Sequence, residues 1–419
     1  MTDCPEFADR LVISGYRGAA VTVHLTTSTL EMLMTYAGSR RIIDADSHVI
    51  ELDDFLHRAS SDNDRPLLAS MHEQSELPVV QAGLDRGREL FEKRQADADV
   101  MEKFVEGLLD NTKSGWNRLG AFDPHERSDT LDLLGFEMQW VLPTFAFHQV
   151  AHVGDNARLE AGARTLNRAM GGFCAHDPRL KAIGYLPLTL GPDVAVGLLQ
   201  QGFADGCYSF MVDTNEPNDE RPSFTHPSFD PVWAGFAERA TPFVVHVAVN
   251  GHYRAVSPSF KNNSLTAHEL GGDAPAGELG VITINSSAEL FLSAMIFDGV
   301  FARHPELRGI SMEHGAFWLP SWLKGLDYTS KLFRRHRSFD EAPSETAKRR
   351  IKVSPFAGEP VGWVMENVGA EMIVFASDYP HPEGTADPIA KFEAEMQNCD
   401  QATMDAFYHG NMLDLMGAS

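Results

Sequence analysis

Residues 42–51, IIDADSHVIE, place Asp44, Asp46 and His48 at alternating positions directly after two isoleucines. Alternate side chains of a β-strand share one face, so a strand here carries two carboxylates and an imidazole on one side. Burying such groups is costly unless they are paired or bound to a cation. One metal ion reached by Asp46 and His48 meets that requirement; a solvated turn, with the strand ending earlier, meets it equally well. Three further apolar runs end in similar chemistry. PFVV leads into His246, GISM into Glu313 and His314, and IVFA into Ser377, Asp378, Tyr379, Pro380 and His381. A lone histidine at a strand end is usually a hydrogen-bonded structural residue. Four strands that each deliver His, Asp or Glu at their C-terminal ends point instead to a shared metal site, provided the fold gathers those ends.

The elements that would gather them are legible as an alternation. β-rich runs over 138–142, 181–186, 207–212, 243–247, 308–313, 351–354 and 372–376 follow the opening strand. Helical stretches over 157–174, 193–203, 230–239, 288–303, 317–335 and 361–368 separate them, and helices over 388–396 and 401–415 close the chain. Asp230–Pro231 is a helix-start signal, and Pro320 suits a first helical turn. Eight strands alternating with helices predict an α/β chain folded as a (β/α)8 TIM barrel, whose chemistry lies at the C-terminal strand ends. Residues 52–130 are polar and helical in pattern, with Phe91, Val100, Phe104 and Leu108 at near-helical intervals. They are too long for a simple loop and read as a helical insertion after strand one, either a cap over the strand ends or a peripheral excursion. Residues 1–40 show no clear periodicity and read as an N-terminal extension to a barrel over 41–419. A Gly-, Ser- and Asn-rich segment interrupts the alternation over 248–285.

Composition narrows the partners. The 419 residues carry a formal net charge of −24 and a pI near 5.0, which argues against nucleic acid or an anionic membrane. No run of apolar residues approaches the roughly 20 needed to span a bilayer, and the N-terminus lacks the pattern of a signal peptide. Cys4, Cys174, Cys207 and Cys399 have neither zinc-ribbon nor redox-motif spacing. The expectation is a cytoplasmic protein with reduced thiols that acts on a small molecule; a homodimer is allowed but not required.

The motifs IDADSH, VVHV, MEHGAFWLP and FASDYPHPEG, with LDLLGFEMQWVLPT and RLKAIGYLPL between them, resemble the amidohydrolase superfamily. The similarity is to its amidohydrolase-related branch, which contains the aminocarboxymuconate semialdehyde decarboxylase-like enzymes, and it covers roughly 41–415. The resemblance implies that Asp46, His48, His246 and Asp378 are metal ligands and that His314 is the acid/base residue, with Asp378 also in the catalytic set. It further implies one divalent metal, since CYSFMV at 207–212 lacks the modified lysine that bridges two metals elsewhere in the superfamily. Asp46 stands where the family's first histidine is usual, and this carboxylate enrichment moves preference from zinc toward manganese or iron. Glu51, Glu313, His314 and His381 remain for a second metal or for orienting the ligands. Relatives with a similar DSHVxE opening use two non-haem irons to activate dioxygen, which keeps a diiron site open.

Three functions follow as expectations. The leading one is a metal-dependent hydrolase or decarboxylase, a carbon–carbon lyase in the latter case, acting on a small carboxylate-type substrate. The second is a non-haem (di)iron oxygenase on the same barrel. The third is a non-catalytic barrel that binds a small molecule, disfavoured because the ligand set and His314 are all present. Arg254 and Trp318 are the expected substrate contacts, alongside His252, Tyr253, Phe147, His148 and Phe317.

Overall fold

The computed structural model describes residues 11–14, 20–23, 35–52, 54–68, 78–109, 115–247, 249, 277–381 and 384–417. Seven strands form one parallel sheet in sequence order: β1 (Ile43–Val49), β2 (Met138–Pro143), β3 (Leu180–Leu186), β4 (Ser209–Val212), β5 (Phe243–His246), β6 (Gly309–Met312) and β7 (Ile351–Val353). The sheet curls so that one extended segment meets both of its edges. After a 3-10 turn, Ala370–Met372, the Val374 N–H donates to Val353 O at 3.1 Å. On the other side Ala45 N donates to Phe375 O, Asp378 N to Asp46 O, and His48 N to Tyr379 O. The run expected as a strand over 372–376 therefore lies between β7 and β1. It forms an isolated bridge at Ile373, and a second follows just beyond it at Tyr379, after Asp378 with a left-handed backbone at φ 55°.

Helices Asn156–Cys174, Pro192–Ala204, Asp230–Glu238, Ser286–Phe297, Leu319–Leu332 and Val361–Val368 connect successive strands, the βαβ arrangement that buries a parallel sheet on both faces. Trp140, Tyr185, Phe210, Phe243 and Phe375 are fully buried strand residues at the centre of the core. Helix ends follow local chemistry. Asp155 accepts from Arg158 N to cap Asn156–Cys174, and Gly299 at φ 76° divides the helix expected over 288–303 into Ser286–Phe297 and Val300–Arg303. The closing helix is likewise divided, by a π turn over Ala406–Gly410.

Between β1 and β2 lie helices Phe55–Ala59, Pro78–Ala96, Ala98–Glu106 and Pro124–Leu134. The periodic stretch there breaks at Asp97, whose carboxylate caps the second half by accepting from Asp99 N. Ahead of β1, Leu11–Ser14 and Ala20–Val23 pair antiparallel. One expectation needs correction: Glu278–Phe297 is long and apolar enough, by length and composition, to cross a membrane. Ser, Asn and Glu interrupt the stretch, so it contains no unbroken apolar run of that length. Its Ser286–Phe297 part packs one face, Ala288, Phe291, Leu292, Met295 and Ile296, into the core, while Leu279, Val281, Ile282 and Leu290 are exposed. Most of the Gly-rich segment expected over 248–285 lies outside the described residues.

Candidate metal centre

Pairing between β1 and β2 slips between Asp44 and Ser47, a bulge of the kind that re-aims side chains at a sheet end. As a result the three residues expected on one face part company. Asp44 points into a closed hydrogen-bond system, accepting from Gln139 Nε2 at 2.8 Å, Ser377 Oγ at 2.6 Å and Ser377 N at 2.9 Å. Burial pushes its carboxyl up to about 6 in spite of those donors. Asp46 and His48 instead face a space shared with β5, β6 and the segment after β7.

Across that space His48 Nε2 lies 3.2 Å from Asp46 Oδ1 and 3.7 Å from Asp378 Oδ1, while His246 Nε2 lies 3.8 Å from Asp46 Oδ2 and 3.3 Å from Glu313 Oε2. His381 Nδ1 is 3.3 Å from Asp378 Oδ1, and its ring stacks on His48 with centroids 4.0 Å apart. Burial alone would push the Asp46 carboxyl up, but the close approach of His48 and the charges of His246, His48 and His381 hold it below the usual range.

The imidazoles are oriented from behind. His246 Nδ1 sits 2.9 Å from Val247 O, and His48 Nδ1 sits 3.3 Å from Pro143 O. A ring that donates from Nδ1 to a carbonyl presents the Nε2 lone pair to a cation. Thr144 Oγ1, directly after β2, lies 2.9 Å from His381 Nε2 and 3.4 Å from His48 Nδ1. Two ends of the ring carry strained backbone: among the described residues the non-glycine positions with positive φ are Ala240, Glu313 at 54° and Asp378 at 55°. Each costs on the order of 1–3 kcal/mol and persists where the surroundings enforce it.

The donor set fits a divalent cation. Ligand atoms of Asp46, His48, His246 and Glu313 lie within 4.8 Å of one another, as do those of His48, Glu313, Asp378 and His381. Asp46 Oδ1 and His246 Nε2 are buried and find no hydrogen bond among the described residues, a cost that coordination by a buried cation would relieve. Imidazole nitrogens mixed with carboxylate oxygens suit zinc, manganese or iron.

Of the four expected ligands, Asp46, His48 and His246 thus fall in one set with Glu313, while Asp378 falls in the second, which shares His48 and Glu313 with the first. His381 belongs to the second set with Asp378. His314 belongs to neither; it lies buried beside them with Nδ1 3.0 Å from Ser311 Oγ. Burial and the neighbouring His246 lower its pKa to about 3, leaving a neutral ring. Glu51 spends both oxygens on backbone donors, Thr144 N at 2.8 Å and Phe145 N at 2.9 Å, and so anchors the start of helix Phe145–Ala151 outside either set. Trp318, expected against a substrate, is packed in the core and donates from Nε1 to Gly315 O. Arg254, with His252 and Tyr253, lies outside the described residues. Sequence reasoning missed Thr144, Ser311 and Ser377 as supports; the only available signal was their place one to three residues from a strand-end ligand or proline.

The chain matches the amidohydrolase family profile over residues 43–416. No functionally curated protein matches it. Among solved structures it resembles an amidohydrolase from Mycobacterium avium subsp. paratuberculosis at 22% identity, over 90% of this chain and 100% of that one, with a TM-score of 0.67. It also resembles a 5-carboxyvanillate decarboxylase from Novosphingobium aromaticivorans with bound manganese, at 16% identity over 92% and 99% of the two chains, TM-score 0.61. A 2,6-dihydroxybenzoate decarboxylase from Rhizobium aligns at 15% identity over 90% and 99%, TM-score 0.57. At these identities the structures speak to the fold; the match along the sequence places this chain in the amidohydrolase family.

Proposed function

We propose that the protein is a metal-dependent enzyme of hydrolase or carboxy-lyase type acting on a small carboxylate, with decarboxylation of an aromatic acid as the first reaction to test. The observation that carries this reading is a pair of overlapping ligand sets at the strand ends, Asp46, His48, His246 and Glu313 in one and His48, Glu313, Asp378 and His381 in the other. A cation bound there supplies Lewis acidity to a substrate oxygen, with manganese the first choice because a structural neighbour holds it. Asp46, His48, His246 and Asp378 are the assigned ligands. His314 is the proton-transferring residue: Ser311 fixes its Nδ1, which leaves Nε2 as the exchanging atom beside the site. In this reading the extended segment between β7 and β1 is the eighth strand of a closed (β/α)8 barrel over 41–419. The helices within 52–130 are an insertion beside the strand ends, and residues 1–40 are an extension. Buried, unbridged Cys174 and Cys207 support a cytoplasmic location.

The test loads metal-stripped protein with Mn, Zn or Fe and follows carbon dioxide release from 5-carboxyvanillate and 2,6-dihydroxybenzoate, with ester and amide hydrolysis run in parallel. Turnover that needs metal but not dioxygen supports the proposal. Failure to take up any of the three metals sinks it. A second reading, a diiron oxygenase, is favoured by one feature: Glu313, whose carboxylate can serve two ions, belongs to both ligand sets, and His48 is common to them. Two irons per chain together with dioxygen-dependent turnover would replace the first reading with the second.

A further inference from the structure

Arg127, in helix Pro124–Leu134 between β1 and β2, is fully buried. A guanidinium has five donors in a fixed fork, and these reach four acceptors. Nε donates to Gln139 Oε1 at 3.0 Å, Nη1 to His48 O at 3.0 Å and Gly120 O at 3.1 Å, and Nη2 to Ser47 Oγ at 2.8 Å. Beyond Gln139 the chain of bonds continues. Gln139 Nε2 donates to Asp44 Oδ2 at 2.8 Å, and the same carboxylate accepts from the hydroxyl and the backbone N–H of Ser377. Ser377 precedes Asp378, and His48 belongs to β1. One continuous buried network therefore grips the backbone of two ligand-bearing segments that are more than 300 residues apart in sequence. Tyr379 is held by the same guanidinium, 5.0 Å from its ring, while its carbonyl accepts from His48 N at 2.6 Å.

Arg127 touches none of the converging ligand atoms, and each acceptor it meets is backbone or a neutral side chain. Its position is explained by what it holds: the bulge that aims Asp46 and His48, and through Gln139 and Asp44 the turn that aims Asp378. We infer that Arg127, acting through Gln139, Asp44 and Ser377, is a positioning residue that sets the spacing between the β1 ligands and Asp378 and thereby the affinity for the metal. This rests on the metal-dependent reading above.

The test uses full-length protein and Mn(II), with binding followed by calorimetry and by the electron paramagnetic resonance of free Mn(II). Ser377→Ala removes one donor to Asp44 and deletes only a hydroxyl, Arg127→Lys keeps charge but loses the fork, and Ser377→Thr restores the hydroxyl. Partners that orient metal ligands are typically worth about 10–100-fold in metal affinity. Ser377→Ala and Arg127→Lys are expected to weaken Mn(II) binding by about that factor at unchanged stoichiometry, with Ser377→Thr close to wild type. Circular dichroism and the thermal midpoint of the metal-free proteins separate this from a merely structural role, which would lower the midpoint while leaving the Kd of folded protein unmoved. Wild-type affinity in folded Ser377→Ala overturns the inference, whether or not Arg127→Lys folds. Loss of Mn(II) from Asp46→Asn in the same series shows that the metal reading stands even then. No uptake by wild type overturns both.

Discussion

Two layers of polar groups line this sheet, a lower one that begins near the strand starts at Asp44 and Gln139 and an upper one at the C-terminal strand ends, and they differ in closure. In the lower layer Asp44, Gln139, Arg127 and Ser377 bond to one another, Glu51 accepts from Thr144 and Phe145, and Asp213 accepts from the Tyr185 hydroxyl and from Thr189 N and Oγ. In the upper layer Asp46, His246, Glu313 and their neighbours crowd a common space, and Asp46 Oδ1 and His246 Nε2 find no hydrogen bond among the described residues. Both layers are buried and rich in carboxylates. Buried polarity is therefore not what marks the site. Its mark is that atoms of metal-ligating type without a hydrogen bond among the described residues gather in one space, whereas Trp140 Nε1 and Thr165 Oγ1, which also find none there, belong to an indole and a hydroxyl outside either ligand set.

The comparison breaks first at its strongest point. Asp46→Ala removes an upper-layer ligand, and several kcal/mol of transition-state stabilisation go with the cation. Metal content by elemental analysis should fall to background, and kcat/KM by about a thousandfold or more. Retention of both would deny Asp46 a ligand role. Arg127→Met strikes the lower layer instead. It strands several buried acceptors, so denaturant unfolding of metal-free protein should show a loss of about 3 kcal/mol or more. Asp46→Asn in the same metal-free assay should cost less, because asparagine keeps an acceptor beside His48 and leaves fewer buried groups without partners. Equal losses in the two variants would erase the distinction between the layers.

The upper layer was largely legible in the sequence and the lower layer largely was not, for a physical reason. Candidate metal ligands are drawn from a few residue types at strand ends, so His48, His246 and Asp378 stand out once the alternation of strands and helices is seen. Supports can be any residue with a spare donor. Gln139 and Arg127 look like ordinary strand and helix residues until the fold sets them 3.0 Å apart. The expected alternation matched the seven strands to within a residue or two at most ends, since buried parallel strands are dense in β-branched and aromatic residues. It could not anticipate the bulge that turns Asp44 away from Asp46, nor that Glu51 would face two backbone amides. Glu313 was legible as a neighbour of His314, but its place in both ligand sets depends on a left-handed backbone that nothing in MEHG specifies.

That backbone gives a sharper test of the upper layer. Glu313 has φ 54°, a region that glycine enters without penalty and other residues enter at a cost of about 1–2 kcal/mol. Glu313→Gly should leave metal-free protein as stable as wild type or about 1 kcal/mol more stable, while metal affinity falls. A gain in stability paired with a loss in binding is the signature of strain held for function. A destabilised variant with unchanged affinity would instead make Glu313 a packing residue.

The smallest effect belongs to Asp213, a strand-end carboxyl of the closed layer with no part in either ligand set. Burial pushes its pKa up to about 6, against the hydrogen bonds from Thr189 and Tyr185 that favour the ionised form. An acid whose folded pKa is raised binds more protons folded than unfolded, so its favourable contribution is complete below the unfolded value near 4 and is lost as pH rises through about 6. Asp44 and Glu51, pushed up to about 6 and about 7 by burial, act in the same direction, so wild-type stability alone cannot isolate Asp213. The difference between wild type and Asp213→Asn can. Asparagine keeps an acceptor for Thr189 and turns its amide toward the Tyr185 hydroxyl, which can accept. Denaturation of metal-free protein at pH 5 and pH 8 should show wild type losing roughly 1–3 kcal/mol relative to the variant across that interval. A difference that does not change with pH would show that the closed layer holds Asp213 ionised throughout, and that its hydrogen bonds offset burial more completely than those of Asp44.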